Sequence, residues 1–478
     1  MLLRLSKNAF VRQYGQFTYI LDRLTGTDKV FVDAEVFTRW ITRTPIKKEV
    51  ALEKICKVYS TTMPGMIATD FDEFLDLLIK ANIVVAGETV EEIERHDNAF
   101  SYYSNNPRTS NIGLYREPEG SEIIGRTLKE YFRNNAAAFN LQIEITDYCT
   151  ERCVHCYMAN YNSVIMSYST IERVISEFRQ QGGIQLSISG GECMLHPQFN
   201  SILEFAAKND LAISVLTNLT ACTDTIVELL KSIGAHVQVS LYSMNPLTHD
   251  EITGLKGSFE KTRNWIERLR EKQVPCFISC PTMKHNFSDY LDVIAFARSL
   301  NMDAQTDFII MGKTNCDTSN LQCRLDLCET RKIIEDVVYR SLPTNDEYFS
   351  SARISRMPSD EEWASERVCG AGSSLICLDA HGFYHPCPGL GGIVLGNCYD
   401  HSLEWILSSS PETFRIRSIT GKDFPKCLKC PDRNYCTVCI CRNYNETGDL
   451  FSPARHFCDV AKINHEIVDA FQRQSAGI

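Results

Sequence analysis

This 478-residue chain contains no apolar run of the roughly 20 residues that crossing a bilayer requires, so no membrane-embedded role is expected. It also lacks an excess of positive charge: 49 Lys and Arg stand against 60 Asp and Glu, a net charge of −11. Binding a nucleic-acid backbone needs the opposite balance, so no nucleic-acid partner is expected either. The start, Met1-Leu2-Leu3-Arg4-Leu5, is too short and too soon polar for a secretory signal. Internal repeats and low-complexity tracts are absent. Cysteine, by contrast, is abundant, at 21 residues. Without a secretory signal these read as ligands and free thiols, not a disulfide framework, in the reducing cytoplasm of a cell with little oxygen. Hydrophobic residues make up 44% of the chain, enough for a large core. The length suits about two to four domains.

Three of the cysteines fall in one short run, Cys149-Thr150-Glu151-Arg152-Cys153-Val154-His155-Cys156, spaced C-x3-C-x2-C. The run follows an apolar stretch, Leu141 to Thr146, that reads as a buried strand. Three thiolates on one loop hold three irons of a cubane cluster and leave the fourth iron open to a small chelating molecule. Clusters used only for electron transfer normally have four protein ligands, so an open iron points to chemistry. A zinc site is the alternative, although structural zinc takes four protein ligands, often as C-x2-C pairs. His155 reads as a neighbour of the cluster and not a ligand.

Further motifs lie at strand ends. Ser189-Gly190-Gly191-Glu192 follows the apolar stretch Ile184 to Ile188, Thr217-Asn218 closes Leu211 to Leu216, and Ser240 lies in Val237 to Leu241. Strands are expected at 141–146, 184–189, 212–217, 236–241, 275–280 and 305–311. Helices are expected near 169–182, 198–209, 222–234, 258–273 and 287–300. In the first of these helices, Ile171, Val174, Ile175 and Phe178 recur at helical spacing. Six βα units imply a parallel sheet with helices outside it.

The cysteine run, the Gly-Gly-Glu motif and their order at the strand ends resemble the radical S-adenosylmethionine (radical SAM) superfamily. That resemblance implies an α/β fold with a partial (β/α)6, TIM-like barrel, and an active site at the carboxyl ends of the strands. It implies a 4Fe–4S cluster on Cys149, Cys153 and Cys156. It places S-adenosylmethionine against Gly190, Gly191 and Glu192, which meet the methionine amino group, and against Thr217, Asn218 and Ser240. The activity implied is that of an oxidoreductase driven by a 5′-deoxyadenosyl radical, with flavodoxin or ferredoxin as reductant.

The carboxyl third holds a second cysteine system: Cys369, then Gly382-x4-Cys387, then Cys427-x2-Cys430-x5-Cys436-x2-Cys439, and Cys458. This resembles the SPASM extension of radical SAM peptide maturases, which implies two auxiliary 4Fe–4S clusters. Carried over by position, Cys427, Cys430, Cys436 and Cys458 would hold the outer cluster. Cys369, Cys387 and Cys439 would hold the inner one. The fourth inner ligand is not evident, because residues 359–368 contain no cysteine. Either Cys316, Cys323 or Cys328 supplies it, or that iron is open to substrate; Cys441 is a neighbour of the last pair. The alternative here is a zinc ribbon on Cys427, Cys430, Cys436 and Cys439, which leaves Cys369, Cys387 and Cys458 unexplained. Cys56, Cys193, Cys276 and Cys280 read as small core residues.

The first hundred residues differ from the rest. Phe17 to Leu21 and Lys29 to Val32 read as a hairpin. Helical patterns follow at Asp33–Thr42, Lys47–Tyr59 and Asp70–Ala81, with Ile83-Val84-Val85 as a further strand. This order resembles a small winged-helix-like α+β domain that takes a precursor's leader peptide as an added strand on an exposed sheet edge. A purely structural cap is the plainer reading. The acidic 70–76 helix speaks against DNA binding.

The expected domains are therefore 1–95 for recognition, 96–137 as linker, 138–345 as barrel and 346–478 as SPASM extension. The expected function is a crosslink installed in a ribosomally made precursor peptide, with a cysteine thioether first and a carbon–carbon or carbon–oxygen bond second. Sulfatase maturation fits less well, since those enzymes carry an acidic residue where Pro388 stands. A non-catalytic, cluster-bearing peptide carrier is the alternative of another class.

Overall fold

The structure is a computed structural model that describes residues 1–23, 28–59, 64–99, 131–132, 135, 137–159, 161–341 and 359–475. The expectation of a linker at 96–137 and the start of the 346–478 unit fall largely outside these residues.

The amino-terminal region has more strands than its sequence suggests. β1 (Leu2–Leu5), β2 (Ala9–Tyr14), β3 (Phe17–Asp22), β4 (Lys29–Val32), β5 (Ile46–Lys47) and β6 (Val84–Gly87) form two antiparallel sheets, ordered β5-β1-β6 and β2-β3-β4. β1 and β2 escape a pattern search because Arg4 and Arg12 interrupt their apolar alternation. Both arginines are anchored: Arg4 pairs with Asp97 at 2.6 Å, and Arg12 donates to the carbonyl of Gly183 at 2.9 Å. Three helices follow, α1 (Glu35–Thr38), α2 (Lys48–Val58) and α3 (Pro64–Lys80). The first has four residues instead of the ten expected at 33–42. α4 (Val90–Ala99) crosses position 95, where the sequence suggests a boundary. Asp97 ties it to β1 through Arg4 and the Ser6 hydroxyl.

The centre is a parallel sheet of β7 (Asn140–Glu144), β8 (Gln185–Ser189), β9 (Ala212–Thr217), β10 (His236–Ser240), β11 (Cys276–Pro281) and β12 (Asp303–Asp307). Its connecting helices are α5 (Tyr168–Gln180), α6 (Phe199–Lys208), α7 (Asp224–Ile233), α8 (Pro246–Thr253), α9 (Ser258–Glu271) and α10 (Tyr290–Ser299). This is the partial (β/α)6 barrel expected. Registered neighbours in a parallel sheet share a face, and the two faces here differ. Leu141, Ile143, Leu186, Ile188, Ile213 and Val215 face outward into the core with Ile171, Val174, Ile175 and Phe178 of α5. Each such fully buried side chain contributes roughly 1.5–3 kcal/mol. Gln142, Glu144, Ser187, Ser189, Gln238, Ser240 and Ser279 lie on the opposite, lumen-side face. The lumen is thus mostly polar, with Leu216 and Phe277 beside Gln238 as apolar members.

β13 (Leu375–Leu378) pairs in parallel with β7, and β14 (Phe383–His385) and β15 (Gly396–Asn397) extend that edge into a nine-stranded sheet. The cysteine-rich third is therefore built onto the first barrel strand. α11 (Leu327–Ser341) follows the barrel, and the last helices of the chain are α12 (Ile440–Thr447) and α13 (Arg455–Ser475). Among the described residues no helix is long and apolar enough to cross a membrane.

Candidate active site

The cluster loop leaves the carboxyl end of β7 and is fixed by backbone bonds along its length. Asp147 closes it: the carboxylate accepts from Val164 N at 2.6 Å and Asn162 N at 3.0 Å. Arg152 N donates to Thr253 O at 2.7 Å and Val154 N to Ile252 O at 3.0 Å, so the end of α8 carries the middle of the loop. Sequence reasoning missed α8, although its signals were present. Asn245 caps its start, Pro246 occupies its first turn, and Gly254 ends it at φ +66°. Asn320 Nδ2 donates to the carbonyls of His155 (3.3 Å), Cys156 (3.4 Å) and Met311 (2.9 Å), which holds the far side.

The Gly-Gly-Glu loop comes up beside it. Gly191 N donates to Thr146 O and Glu192 N to Tyr148 O, both at 2.8 Å. Gly190 has φ +136°, and a Cβ there would overlap Thr146 O; a Cβ on Gly191 would overlap Tyr148 O. Both positions need glycine because two backbones touch.

Glu192 is fully buried. Its carboxylate accepts from Met194 N (3.0 Å), Thr217 Oγ1 (2.8 Å) and Asn218 N (2.8 Å), and burial raises its pKa. It therefore ties the ends of β8 and β9 together. Thr217 is occupied in the same way: its hydroxyl donates to Glu192 and accepts from Leu219 N at 2.8 Å. Asn218 reaches toward the cluster loop, with Nδ2 3.8 Å from Cys149 Sγ. Ser240 meets the Tyr242 hydroxyl, which lies 3.9 Å from Cys153 Sγ. Of the six residues proposed to hold S-adenosylmethionine, Asn218 and Glu192 thus lie beside Cys149, and Ser240 approaches Cys153 through Tyr242.

The donor set fits a cluster. Burial pushes the thiols of Cys149, Cys153 and Cys156 up, Cys149 to about 12, so a metal's positive charge is needed to make them thiolates. A cavity lined by Arg152, Cys153, Cys156, Tyr161, Lys313 and Asn320 opens beside two of them. The site also fits a cationic amino group. Glu151, missed in the sequence, is 2% exposed, and its Oε1 has no hydrogen-bond partner. Burial raises its carboxyl to about 7. Among the described residues no Lys or Arg pairs with Glu151 or Glu192.

Glu144 was also missed. It ends β7 on the lumen face, and burial, then repulsion from Asp379, raises its carboxyl to about 7. Asp379 accepts from His385 at 3.0 Å, and Asp147 lies 3.4 Å from His381. A polar interior therefore separates the cluster loop from the carboxyl-terminal cysteines.

Those cysteines form two groups. Burial raises Cys427, Cys436 and Cys458, and repulsion within the set Cys427, Cys430, Cys436 and Cys458 adds to it. Cys369 is raised by burial and then by Cys387 and Cys439. Cys369 and Cys387 flank the β13–β14 hairpin, whose turn contains Gly382 at φ +89°. Among the described residues no three His, Cys, Asp or Glu side chains group tightly enough for a single metal ion. A cubane takes its thiolates from points further apart.

A family model described as the Radical SAM superfamily matches residues 143–297. The chain is 27% identical over 328 residues to an AdoMet-dependent heme synthase of Methanosarcina barkeri, covering 64% of this chain and 92% of the other. It is 26% identical over 341 residues to the antilisterial bacteriocin subtilosin biosynthesis protein AlbA of Bacillus subtilis, covering 69% of this chain and 72% of the other. The crystal structure of Streptococcus suis SuiB bound to precursor peptide SuiA matches its fold over 94% of this chain and 98% of the other, with TM-score 0.60 and 16% identity. The cofactors of this family are a 4Fe–4S cluster and S-adenosylmethionine. By the cluster loop, the Gly-Gly-Glu loop and these likenesses, residues 143–297 are a radical SAM domain, in a radical SAM enzyme of the SPASM type.

Proposed function

We propose that this enzyme is a peptide maturase: it takes a hydrogen atom from a ribosomally made precursor peptide and closes a crosslink, a cysteine thioether, the thiol's proton going to a base and the one surplus electron to an auxiliary 4Fe–4S cluster. The observation that carries the peptide reading is the outer edge of the β2-β3-β4 sheet, on which no further strand pairs among the described residues. β4 is its terminal strand, and Phe31 on β4 packs edge-to-face on Phe74 of α3 at 5.1 Å. Val32, Met66 and Leu77 are exposed on these elements. An extended leader would add a strand to β4 and set apolar side chains beside α3. The other face of the hairpin is committed to the barrel base: Tyr14, Phe17 and Tyr19 pack with Ile184 and Ala212, and Arg23 donates to Ser214 Oγ at 2.9 Å. The leader site and the reacting site are thereby held on one body. The likeness to the subtilosin protein supports a peptide substrate; the one to the heme synthase, over 328 residues, extends beyond the radical SAM domain at 143–297 and gives no support to a peptide.

When bound, the reduced cluster and S-adenosylmethionine supply the hydrogen-abstracting radical, with flavodoxin or ferredoxin as the electron source in the cytoplasm. The chain's own part is placement. Gly190 and Gly191 let backbone approach backbone, Glu151 and Glu192 present negative charge to the amino group, and Asn218 and Ser240 line the same space. Glu144, with its carboxyl near neutrality, is placed to take a proton from a substrate thiol. The test compares leader-bearing and leaderless precursor by mass spectrometry at limiting peptide. The leaderless substrate is expected to react at least about tenfold more slowly, a difference of about 1.4 kcal/mol in capture. Equal rates would overturn the leader reading.

A further inference from the structure

We propose that Cys441 is the fourth thiolate ligand of the inner auxiliary cluster, completing an all-cysteine shell with Cys369, Cys387 and Cys439. The inference deepens the two-auxiliary-cluster reading and rests on it. Cys441 Sγ is buried and lies within hydrogen-bonding reach of the thiols of both Cys387 and Cys439. Cys439 is the extended residue that caps α12 and Cys441 stands in its first turn, so one helix start presents two thiols to the same space. Asn445, one turn further on, fixes the geometry. Its Nδ2 lies 3.8 Å from Cys441 Sγ and donates to Gly312 O (3.0 Å) and Gly389 O (2.9 Å). A Cβ on Gly389 would overlap Cys441 Sγ, so the backbone after Cys387 runs against this thiol.

A buried cysteine is ordinarily a small apolar core residue. Cys441 belongs to the main core, yet two thiols, an amide and the Met311 sulfur at 3.7 Å face it. The rival cysteines are engaged elsewhere. Cys316 donates to Tyr444 O at 3.3 Å, Cys323 donates to Asn320 O at 2.9 Å in the cluster around Tyr242 and Ile252, and Cys328 is exposed. With four thiolates the inner cluster has no vacant iron, so a substrate thiolate does not bind there and the cluster serves as an electron carrier.

The test uses full-length protein with Cys149, Cys153 and Cys156 replaced by Ala, reconstituted without oxygen, so that only auxiliary clusters contribute. This parent is expected to hold about eight irons as two 4Fe–4S clusters. Adding a thiol-bearing precursor peptide should leave its reduced EPR spectrum unchanged. Cys441→Ser should change one of the two signals or convert that cluster to a three-iron form. Cys441→Gly with added 2-mercaptoethanol should restore the parent spectrum. Cys316→Ser and Cys323→Ser should leave both clusters intact. A Cys441→Ser protein identical to the parent in iron and spectrum would overturn the assignment. So would a parent signal that shifts with peptide thiol. A parent with four irons or fewer would instead overturn the two-cluster reading itself, and this ligand with it.

Discussion

The two cysteine regions are built on opposite plans. In the barrel, three cysteines come from eight consecutive residues, 149–156. In the carboxyl third they come from separate stretches, at 369, 387, 427–441 and 458. The first loop is held by Asp147, by the 252–253 backbone and by Asn320, all without metal. The second region has mostly short helices, such as Pro425–Leu428 and Arg433–Tyr435, and little regular structure between Cys427 and Cys439. The barrel therefore holds its cysteine loop by backbone and side-chain bonds, whereas the extension is expected to draw on iron to tie its separate stretches together. Where ligands are far apart in sequence, metal binding is folding free energy.

The largest effect that would break this contrast is loss of the outer cluster. Cys430→Ala with Cys458→Ala should make residues from about 425 onward sensitive to protease while the barrel stays resistant. Limited proteolysis followed by mass spectrometry reads this directly. A digestion pattern matching the parent would mean that iron is incidental in both regions.

Replacing Cys149, Cys153 and Cys156 by Ala is the mirror experiment. About four irons should be lost, and 5′-deoxyadenosine formation should stop. The melting temperature of the apoprotein should stay within about 3 °C, because the loop keeps its backbone anchors. A large drop would show that the barrel also needs its metal.

How much of this was legible in the sequence follows the same divide. β7, β8, β9 and the Gly-Gly-Glu loop were readable because each is local: a short apolar stretch, then a motif. The last barrel strand, expected at 305–311, instead lies at Asp303–Asp307, a polar stretch that the apolar pattern displaced. α8 was missed for want of a strong apolar stripe, although its caps were present. β1 and β2 were missed because Arg4 and Arg12 find partners 93 and 171 residues away, which no local pattern shows. Cys441 was set aside for the same reason, since its closeness to Cys387 depends on how the β13–β14 hairpin meets α12. Glu144 and Glu151 carry no sequence signal beyond being acidic. Their burial, a tertiary property, is what singles them out.

A third prediction concerns the seam between cluster loop and barrel. Glu192→Ala removes a buried carboxylate from three donors and leaves Thr217 Oγ1 and two backbone N–H groups unsatisfied. Such losses cost about 1–3 kcal/mol per group. S-adenosylmethionine affinity should fall by about 10- to 100-fold, or about 1.4–2.8 kcal/mol, with all clusters still assembling. Isothermal titration of the reconstituted protein measures it. Unchanged affinity would show that Glu192 is a strut alone and that Glu151 carries the ammonium contact.

The smallest expected effect lies between the two cysteine regions, at Glu144. In the folded chain its carboxyl holds its proton up to about 7, because burial and the nearby Asp379 charge disfavour the anion. In the unfolded chain it releases that proton near the ordinary carboxylate value of about 4.3. Between those values the folded state binds more protons than the unfolded state, so stability falls as pH rises through this window. Glu144→Gln carries no titrating proton there and removes that slope while keeping the shape of the side chain. Thermal unfolding at pH 5 and pH 7.5 should therefore show a decline of the parent that is steeper than that of the variant by a few °C, while deoxyadenosine formation without peptide stays equal in both. Parallel declines would mean that Glu144 releases its proton near the ordinary carboxylate value in the folded chain too, which makes it too weak a base for a substrate thiol.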